Sequence, residues 1–279
     1  MIALMKHVVK ELFPRFALQM RVKKLLKANV DPDLYFLANL RQLLSESQET
    51  SRFTEFLSGQ HAAIDVGACG GEYAHIMAQY FSKVLSIEPT PEMAAKVRRS
   101  LPANCEVLEC ALGKSRGSVT LRIPKIGESR MHALSTVAGH SFAFSEIGGV
   151  DQITVRQTTI DELVRERNIQ PAFIKIDVEG YEGEVLLGAV ATIQMCKPMF
   201  LVEIEKRHNT QFRSIFSLLE SNGYAPFHFQ NEKLQRSAAD QVDASYDCLI
   251  GGNVSGMDQV ISSRASGKYI NNFLFLPRC

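Results

Sequence analysis

The chain has 279 residues, of which 46% are hydrophobic and 22% are charged, with 31 Lys and Arg against 30 Asp and Glu. This composition is typical of a globular protein with one large domain, and a net charge of +1 leaves no overall field that would attract nucleic acid. No apolar run approaches the roughly 20 residues that a membrane-spanning helix needs. The six cysteines form no C-x-x-C pair and indicate free thiols in a reducing compartment, so we expect a cytoplasmic protein.

The first part of the chain carries helical patterns. The segment "DPDLYFLANLRQLL" has Asp31 at the N-cap position and Pro32 at the first helical position, and both residue types are favoured at helix starts. Many Lys and Arg residues within residues 1–30 indicate a solvated helix face, a substrate lid or a contact with a membrane surface. We expect a helical extension or lid at residues 1–58 and a main domain at residues 59–279.

From residue 60 onward, short apolar strands alternate with helical segments. Strands are predicted in "HAAIDVG", "KVLSIEP", "CEVLECALG", "FIKIDVEG" and "PMFLVEIE", and helices in "AHIMAQYF", "EMAAKVRRSL", "GEVLLGAVATIQ" and "FRSIFSLLESNG". This alternation predicts an α/β fold with a mostly parallel sheet and helices on both faces. Between the two halves of the sheet lie "SVTLRIP", a polar loop at residues 125–150 and a predicted strand in "ITVRQTT". The later segments "YAPFHF" and "NFLFLP" predict an antiparallel closure of the sheet.

Glycines and acidic residues follow the first two predicted strands. The segment "AIDVGACGGEY" places Asp65, Gly67 and Gly71 between a strand and a helix, where glycines let the backbone approach a ligand closely. Glu88 ends the next strand, a position at which an acid accepts hydrogen bonds from ribose hydroxyls in nucleotide-binding sheets. We therefore expect a nucleoside-containing cofactor at this edge of the sheet.

The glycine spacing distinguishes between two cofactors. A nicotinamide dinucleotide calls for G-x-G-x-x-G, and Gly67, Gly70 and Gly71 do not have that spacing. Asp65 would also repel a pyrophosphate, whereas S-adenosylmethionine has no phosphate and carries an ammonium and a sulfonium group. S-adenosylmethionine is the favoured cofactor, and a nicotinamide-dependent oxidoreductase is the alternative.

Six segments of the chain resemble the FkbM family of S-adenosylmethionine-dependent methyltransferases, and they occur in the family's order. They are "AIDVGACGGEY", "VLSIEPTP", "VLECALG", "ITVRQTTIDEL", "IKIDVEGYEGEVLLGA" and "MFLVEIE". The resemblance covers about residues 60–206 and is most specific at "TTIDEL" followed by "KIDVEG-x-E". It implies a class I methyltransferase fold with a Rossmann-like sheet, and methyl transfer to a hydroxyl group, often on a sugar or a polyketide.

The cofactor site is assigned to residues at the ends of the first three strands: Asp65, Gly67, Gly71, Glu88, Pro89, Cys110 and Ala111. Members of the FkbM family commonly carry Asn and a hydrophobic residue where this chain has Cys69 and Gly70. The glycine turn is kept, and contacts with the methionine end of the cofactor are expected to differ.

Charged residues alternate along the predicted strand "FIKIDVEG". Lys175, Asp177 and Glu179 share one face or its extension at the carboxyl end, where open α/β sheets bind ligands. The next strand adds Glu203 and His208 at the same edge. We predict a catalytic centre of these five residues, in which Asp177 is the favoured general base, Lys175 holds one carboxylate charge and the others are further base or acceptor contacts.

Three alternatives accompany this catalytic prediction. The charges form only a buried ion cluster, the carboxylates hold Mg²⁺ although no residue spacing demands a metal, or the protein binds the cofactor as an inactive scaffold. We expect a small-molecule or carbohydrate acceptor, either sugar-containing or a secondary metabolite. The segment "GESRMHALSTVAGHS" either faces solvent or offers polar contacts to a polyol acceptor through Arg130, His132, Ser135 and His140.

Overall fold

A computed structural model describes residues 61–126, 129–132, 135–137, 149–206, 208–230, 233–244 and 270–278. The predicted extension at residues 1–58 and the predicted acceptor contact at His140 lie outside these ranges, and so does the predicted domain boundary. Within them, no helix combines the length and the apolar character that a membrane span requires.

Strands and helices alternate through much of the described part of the chain. The strands are β1 Ala62–Val66, β2 Lys83–Ile87, β3 Cys105–Leu108, β4 Ala111–Leu112, β5 Gly117–Ile126, β6 Ser129–Arg130, β7 Thr136–Val137, β8 Gly149–Thr158, β9 Pro171–Ile176, β10 Met199–Glu203, β11 Tyr224–Gln230, β12 Lys233–Arg236 and β13 Asn272–Pro277. The helices are α1 Glu72–Met77, α2 Pro91–Ser100, α3 Ile160–Arg167, α4 Glu182–Leu187, α5 Val190–Cys196 and α6 Arg213–Ser221.

The main sheet has the strand order β12-β11-β13-β10-β9-β1-β2-β3. Strand β1 pairs in parallel with β2 on one side and with β9 on the other, and β10 continues the parallel run. Strand β13 lies antiparallel between β10 and β11, which confirms the prediction of a mostly parallel sheet with an antiparallel C-terminal strand. The chain moves outward from β1 in opposite directions, so a crevice forms at the carboxyl ends of β1 and β9. The sheet therefore has the Rossmann-like arrangement that the FkbM resemblance implies.

Both faces of the main sheet are buried, which explains why its strands read as continuous apolar runs. One face carries Ile64, Ile174 and Phe200 and is covered by α3, α4, α5 and α6. The other face carries Ala63 and Phe173 and is covered by α1. Each fully buried side chain of this size contributes about 1.5–3 kcal/mol, so the central strands are held firmly in register. The polar residues at their carboxyl ends therefore have well-defined positions.

A second sheet, which the sequence patterns did not predict, follows β3. Its order is β4-β8-β5-β6, and β7 also pairs with β5. The prediction of one strand in "CEVLECALG" is therefore wrong, because the segment divides between β3 in the main sheet and β4 in the second sheet. The amides of Glu88 and Cys110 both donate to the carbonyl oxygen of Leu108 at 3.1 Å, and the chain turns at this point. The predicted polar loop at residues 125–150 contains β6 and β7 in its described part.

The predicted helix in "GEVLLGAVATIQ" is two helices, α4 and α5, which separate at Gly188. A side chain at Gly188 would bring its Cβ to 2.1 Å from the carbonyl oxygen of Gly113, so the close approach of these two backbones requires glycine. The Asp161 carboxylate accepts hydrogen bonds from the amides of Ala191 and Thr192 at 3.0 and 2.8 Å. The Asp of "TTIDEL" thus satisfies orphan amides at the start of the second helix.

Candidate active site

A cleft lies between the carboxyl ends of the parallel strands and the second sheet. It has about 740 Å³ of empty space, part of it open to solvent. The loops after β1, β2 and β9 form one wall, and residues of β4, β5 and β7 form the other. Nine of the residues predicted from the sequence line it: Gly67, Glu88, Pro89, Cys110, Ala111, His132, Ser135, Asp177 and Glu179. Predicted cofactor residues and predicted catalytic residues therefore meet in one place.

The turn after β1 depends on glycine at position 67. Gly67 has φ 82°, and a Cβ built on it would lie 1.8 Å from the carbonyl oxygen of Asp177. The Asp177 amide donates to the carbonyl of Val66 at 3.0 Å, so this contact joins the ends of β1 and β9. Gly71 precedes α1 with φ 79°, also in the left-handed region that favours glycine, but it does not line the cleft.

Cys69 adopts the left-handed conformation with φ 44°, which Asn tolerates better than most residues. This geometry gives a physical reason for the Asn that the FkbM resemblance implies at this position. Burial, reinforced by the nearby charge of Glu88, raises the pKa of the Cys69 thiol to about 11. The thiol is therefore protonated at neutral pH and presents a weakly polar surface to the cleft.

Glu88 is buried at the end of β2 and organises the loop around it. Its carboxylate accepts hydrogen bonds from the Cys69 amide at 2.9 Å, the Thr90 amide at 2.9 Å and the Thr90 hydroxyl at 2.6 Å. Burial raises the pKa of Glu88 above its ordinary value, although these hydrogen bonds oppose the shift. The carboxylate is oriented before any ligand arrives, and it has further lone pairs for hydroxyl donors.

Asp65 does not line the cleft. Its side chain is 1% exposed, and one oxygen accepts a hydrogen bond from the Ala74 amide at 3.1 Å, at the first turns of α1. The other oxygen, Oδ1, has no hydrogen-bond partner among the described residues. Burial raises the pKa of Asp65 to about 6, against the attraction of Lys175. Asp65 therefore acts on the site indirectly, through its hydrogen bond with α1 and its attraction to Lys175.

Lys175 lies buried at the centre of the acidic cluster. Its Nζ donates to Asp177 Oδ2 at 2.8 Å and lies 4.3 Å from the centroid of the Tyr73 ring. Burial lowers the pKa of Lys175, but attraction to Asp177 and Asp65 outweighs burial, and the net pKa lies above its ordinary value. The Lys175 side chain is 3% exposed and that of Asp177 is 28% exposed, so the ion pair joins the buried layer to the cleft.

Glu179 and His208 form a second polar group beside the first. His208 Nε2 lies 3.0 Å from Glu179 Oε2 and 3.4 Å from Glu205 Oε2. Asn271 Nδ2 donates to Glu205 at 2.9 Å and also to Glu203. Burial raises the pKa of Glu179, and His208 opposes that shift. Of these residues only Glu179 lines the cleft, so Glu203 and His208 lie behind it.

Glu182 received no role from the sequence, although it is the last residue of "KIDVEG-x-E". It is 2% exposed, and its carboxylate accepts hydrogen bonds from the Gly180 amide at 2.7 Å and from Asn209 Nδ2 at 3.3 Å. Burial raises the pKa of Glu182 to about 7. The turn that it holds contains Glu179 at φ 51° and Gly180 at φ 100°. Glu182 therefore fixes the turn that presents Glu179 to the cleft.

Residues 65–226, more than half of the chain, match the family described as the Methyltransferase FkbM domain. The chain belongs to the FkbM methyltransferase family. This match confirms the recognition made from "TTIDEL" and "KIDVEG-x-E".

Individual relatives of this FkbM methyltransferase are distant. Hexuronic acid methyltransferase AglP of Haloferax volcanii is 25% identical over 159 residues, which are 56% of this chain and 61% of that protein. This chain thus spans about three fifths of that relative's length. The solved structure of Methyltransferase FkbM from Methylobacillus flagellatus is 15% identical with a TM-score of 0.46, and covers 91% of this chain and 57% of that one. The solved structure of a TehB-like SAM-dependent methyltransferase from Corynebacterium glutamicum is 10% identical with a TM-score of 0.40. The match covers 92% of this chain and 95% of that one.

The Mg²⁺ alternative has no support in the part of this FkbM methyltransferase that the structure describes. There, no group of three or more His, Cys, Asp or Glu side chains is arranged to hold a metal ion. The carboxylate of Asp177 is instead paired with Lys175, and that of Glu179 lies against His208.

Proposed function

We propose that this FkbM methyltransferase uses S-adenosylmethionine to methylate a hydroxyl group of a sugar-containing acceptor. One observation carries the proposal: a single cleft is lined by the glycine turn and the buried carboxylate of Glu88, and also by the carboxylates of Asp177 and Glu179. The first group suits the nucleoside of a cofactor, and the second suits a hydroxyl that must lose a proton.

The charges along the cleft support S-adenosylmethionine over a nicotinamide dinucleotide. Glu88, Asp177 and Glu179 line it, and none of its described lining residues is Lys or Arg. A pyrophosphate would meet only negative charge there, whereas an ammonium and a sulfonium are attracted. S-adenosylmethionine, when bound, supplies an electrophilic methyl group. In this proposal Glu88 accepts hydrogen bonds from the ribose of the cofactor. Gly67 has no side chain and so allows the turn after β1 to pack against the Asp177 carbonyl.

Asp177 is the residue we propose as general base. Its carboxylate is held by Lys175 at 2.8 Å and still reaches the cleft, so it is both oriented and accessible. A general base contributes about 10²–10⁴-fold, whereas holding two reactants in line is worth roughly 7–11 kcal/mol. Positioning by the surrounding residues is therefore the larger contribution. We propose Glu179, fixed by Glu182 and His208, as a second acceptor of hydrogen bonds from the acceptor molecule.

The carboxylates of Asp177 and Glu179 favour a neutral hydroxyl over a carboxylate as the methyl acceptor. A carboxylate would be repelled by Asp177 and Glu179, and it would need no base. The relative AglP is named for a hexuronic acid, which carries both groups. We therefore propose transfer to a hydroxyl of a hexuronic acid or a related sugar unit.

The first prediction concerns Glu88 and the cofactor. A hydrogen bond to a charged group is worth roughly 1.5–3 kcal/mol, so Glu88→Ala is expected to weaken S-adenosylmethionine binding by about 10- to 100-fold. Titration calorimetry measures the affinity, and circular dichroism checks that the variant is folded. Glu166→Ala, which removes a carboxylate on α3 that pairs with Arg167, is the matched control. Unchanged affinity in folded Glu88→Ala would remove Glu88 from the cofactor site.

The same titration tests the proposed function as a whole. The wild-type protein is expected to bind S-adenosylmethionine and its product S-adenosylhomocysteine, and to show no heat with NAD. Binding of NAD alone would favour the oxidoreductase alternative. Binding of S-adenosylmethionine without transfer to any sugar acceptor would favour the inactive scaffold.

A further inference from the structure

We propose that His132 and Ser135, on the turn between β6 and β7, bind the ribose diol of the cofactor together with Glu88. The second sheet would then supply part of the cofactor site, in addition to closing the cleft. This inference rests on the proposed use of S-adenosylmethionine. It moves both residues from the acceptor, where the sequence patterns placed them, to the cofactor.

Both side chains belong to the lining of the cleft and carry a buried polar atom that has no partner among the described residues. His132 and Ser135 line the cleft, and the His132 side chain is 11% exposed. His132 Nδ1 and Ser135 Oγ are buried, and neither has a hydrogen-bond partner among the described residues. The Ser135 amide donates to the carbonyl of His132 at 3.1 Å, so one tight turn carries both groups. Buried polar atoms of this kind are costly unless a ligand or water satisfies them.

The contact made by His132 Nε2 determines whether His132 Nδ1 donates or accepts a hydrogen bond. His132 Nε2 lies 3.1 Å from Glu92 Oε2, on the exposed first turn of α2. An ionised carboxylate can only accept a hydrogen bond, so Nε2 carries the proton in this contact. In the neutral ring, Nδ1 is then an acceptor without a partner among the described residues. The matching ligand group is a donor, which means a hydroxyl or an amine.

The position of His132 selects the ribose among the donors of the cofactor. His132 contacts Glu92, which lies four positions after Glu88 on the segment that follows β2, and His132 and Glu88 both line the cleft. Glu88 is the acceptor proposed for the ribose, and a ribose presents two neighbouring hydroxyls. Two acceptors in one cleft suit such a diol, and the Ser135 hydroxyl can also donate or accept there.

A purely structural role makes a different prediction. His132 also fastens the second sheet to α2, because Glu92 lies 3.1 Å from His132 and 3.9 Å from Arg130. If holding the second sheet against α2 were its whole function, loss of Nε2 would weaken cofactor binding and loss of Nδ1 would not. Two substitutions test the two nitrogens one at a time. His132→Asn keeps an amide group near the position of Nδ1, and His132→Gln keeps one near the position of Nε2.

The experiment compares these two variants by titration calorimetry with S-adenosylhomocysteine and with 5′-methylthioadenosine, which lacks the amino-acid end. We expect His132→Gln to weaken the binding of both probes by about 3- to 10-fold, the effect of one lost neutral hydrogen bond. His132→Asn is expected to stay within about 2-fold of the wild type, and Ser135→Ala to behave as His132→Gln does. Thermal unfolding confirms that each variant is folded.

Glu92→Ala is the control for fastening, and it is expected to change affinity by no more than about 2-fold because Glu92 is exposed. A loss in Glu92→Ala as large as that in His132→Gln would overturn the proposal. Equal losses in His132→Asn and His132→Gln, or no loss in either, would also overturn it. A wild-type protein that binds neither probe would refute the cofactor assignment itself, and this inference with it.

Discussion

Replacing Asp177 with Asn is expected to lower turnover by about 10²–10⁴-fold, because the amide keeps the shape of the side chain and cannot accept the proton of the acceptor hydroxyl. The affinity for S-adenosylmethionine is expected to change little, since Glu88, the proposed contact of the cofactor ribose, is unchanged. Single-turnover kinetics with labelled cofactor measure the chemical step, and titration calorimetry measures binding.

The matched control for Asp177→Asn is His208→Asn. His208 lies behind Glu179 and does not line the cleft, so its replacement is expected to reduce turnover less. If His208→Asn alone abolished turnover, the assignment of the base to Asp177 would be wrong. If Asp177→Asn lost only stability, with normal turnover of the folded fraction, the charges would be no more than a buried ion cluster. A loss restored by added Mg²⁺ would make Asp177 a metal ligand.

Replacing Lys175 with Met is expected to destabilise the protein by about 3–5 kcal/mol at pH 8, the typical cost of removing one partner from a buried ion pair. Met preserves most of the side-chain volume, so packing against Tyr73 is largely kept. The loss arises because Asp65 is 1% exposed and would keep only its hydrogen bond from Ala74. Urea unfolding followed by circular dichroism measures the change.

The pH dependence of the Lys175→Met effect identifies Asp65 as its source. Burial already raises the pKa of Asp65 to about 6 in the native protein, and removing Lys175 raises it further. A group with a raised folded pKa stabilises the fold below its unfolded pKa, and this stability is lost as the pH rises through the folded pKa. The destabilisation is therefore expected to be smaller at pH 5 than at pH 8. The double variant Asp65→Asn/Lys175→Met should recover part of the loss, and additive effects would contradict the coupling.

Strand periodicity predicted the parts of the site that lie along the sheet. Alternation along "FIKIDVEG" placed Lys175 and Asp177 on one face, and in the structure their charged atoms lie 2.8 Å apart. The same reasoning placed Gly67 and Glu88 at neighbouring strand ends, and both line the cleft. These inferences worked because the carboxyl ends of parallel strands meet at one edge, a rule that needs no knowledge of loops.

Contacts between distant segments were beyond the reach of periodicity. Asp65 was expected to face the cofactor, but its position along β1 directs the side chain beneath α1, as alternation across the strand requires. Glu205 contacts Asn271 across 66 positions, and no local pattern predicts that pairing. The strand β8 was predicted in "ITVRQTT", but β6 and β7 were read as part of a polar loop because each is only two residues long. His132 was therefore predicted on a polar loop, and the second sheet beside it was not predicted.

The most direct test of methyl transfer to a sugar hydroxyl is incubation of the protein with methyl-labelled S-adenosylmethionine and acceptors that contain a hexuronic acid. The wild-type protein is predicted to transfer the label into a product that survives mild alkali, as a methyl ether does, and Asp177→Asn is predicted to transfer far less. Label released by alkali as methanol would indicate a methyl ester and would contradict the hydroxyl assignment. No transfer to any sugar acceptor by a protein that binds the cofactor would contradict the proposed function.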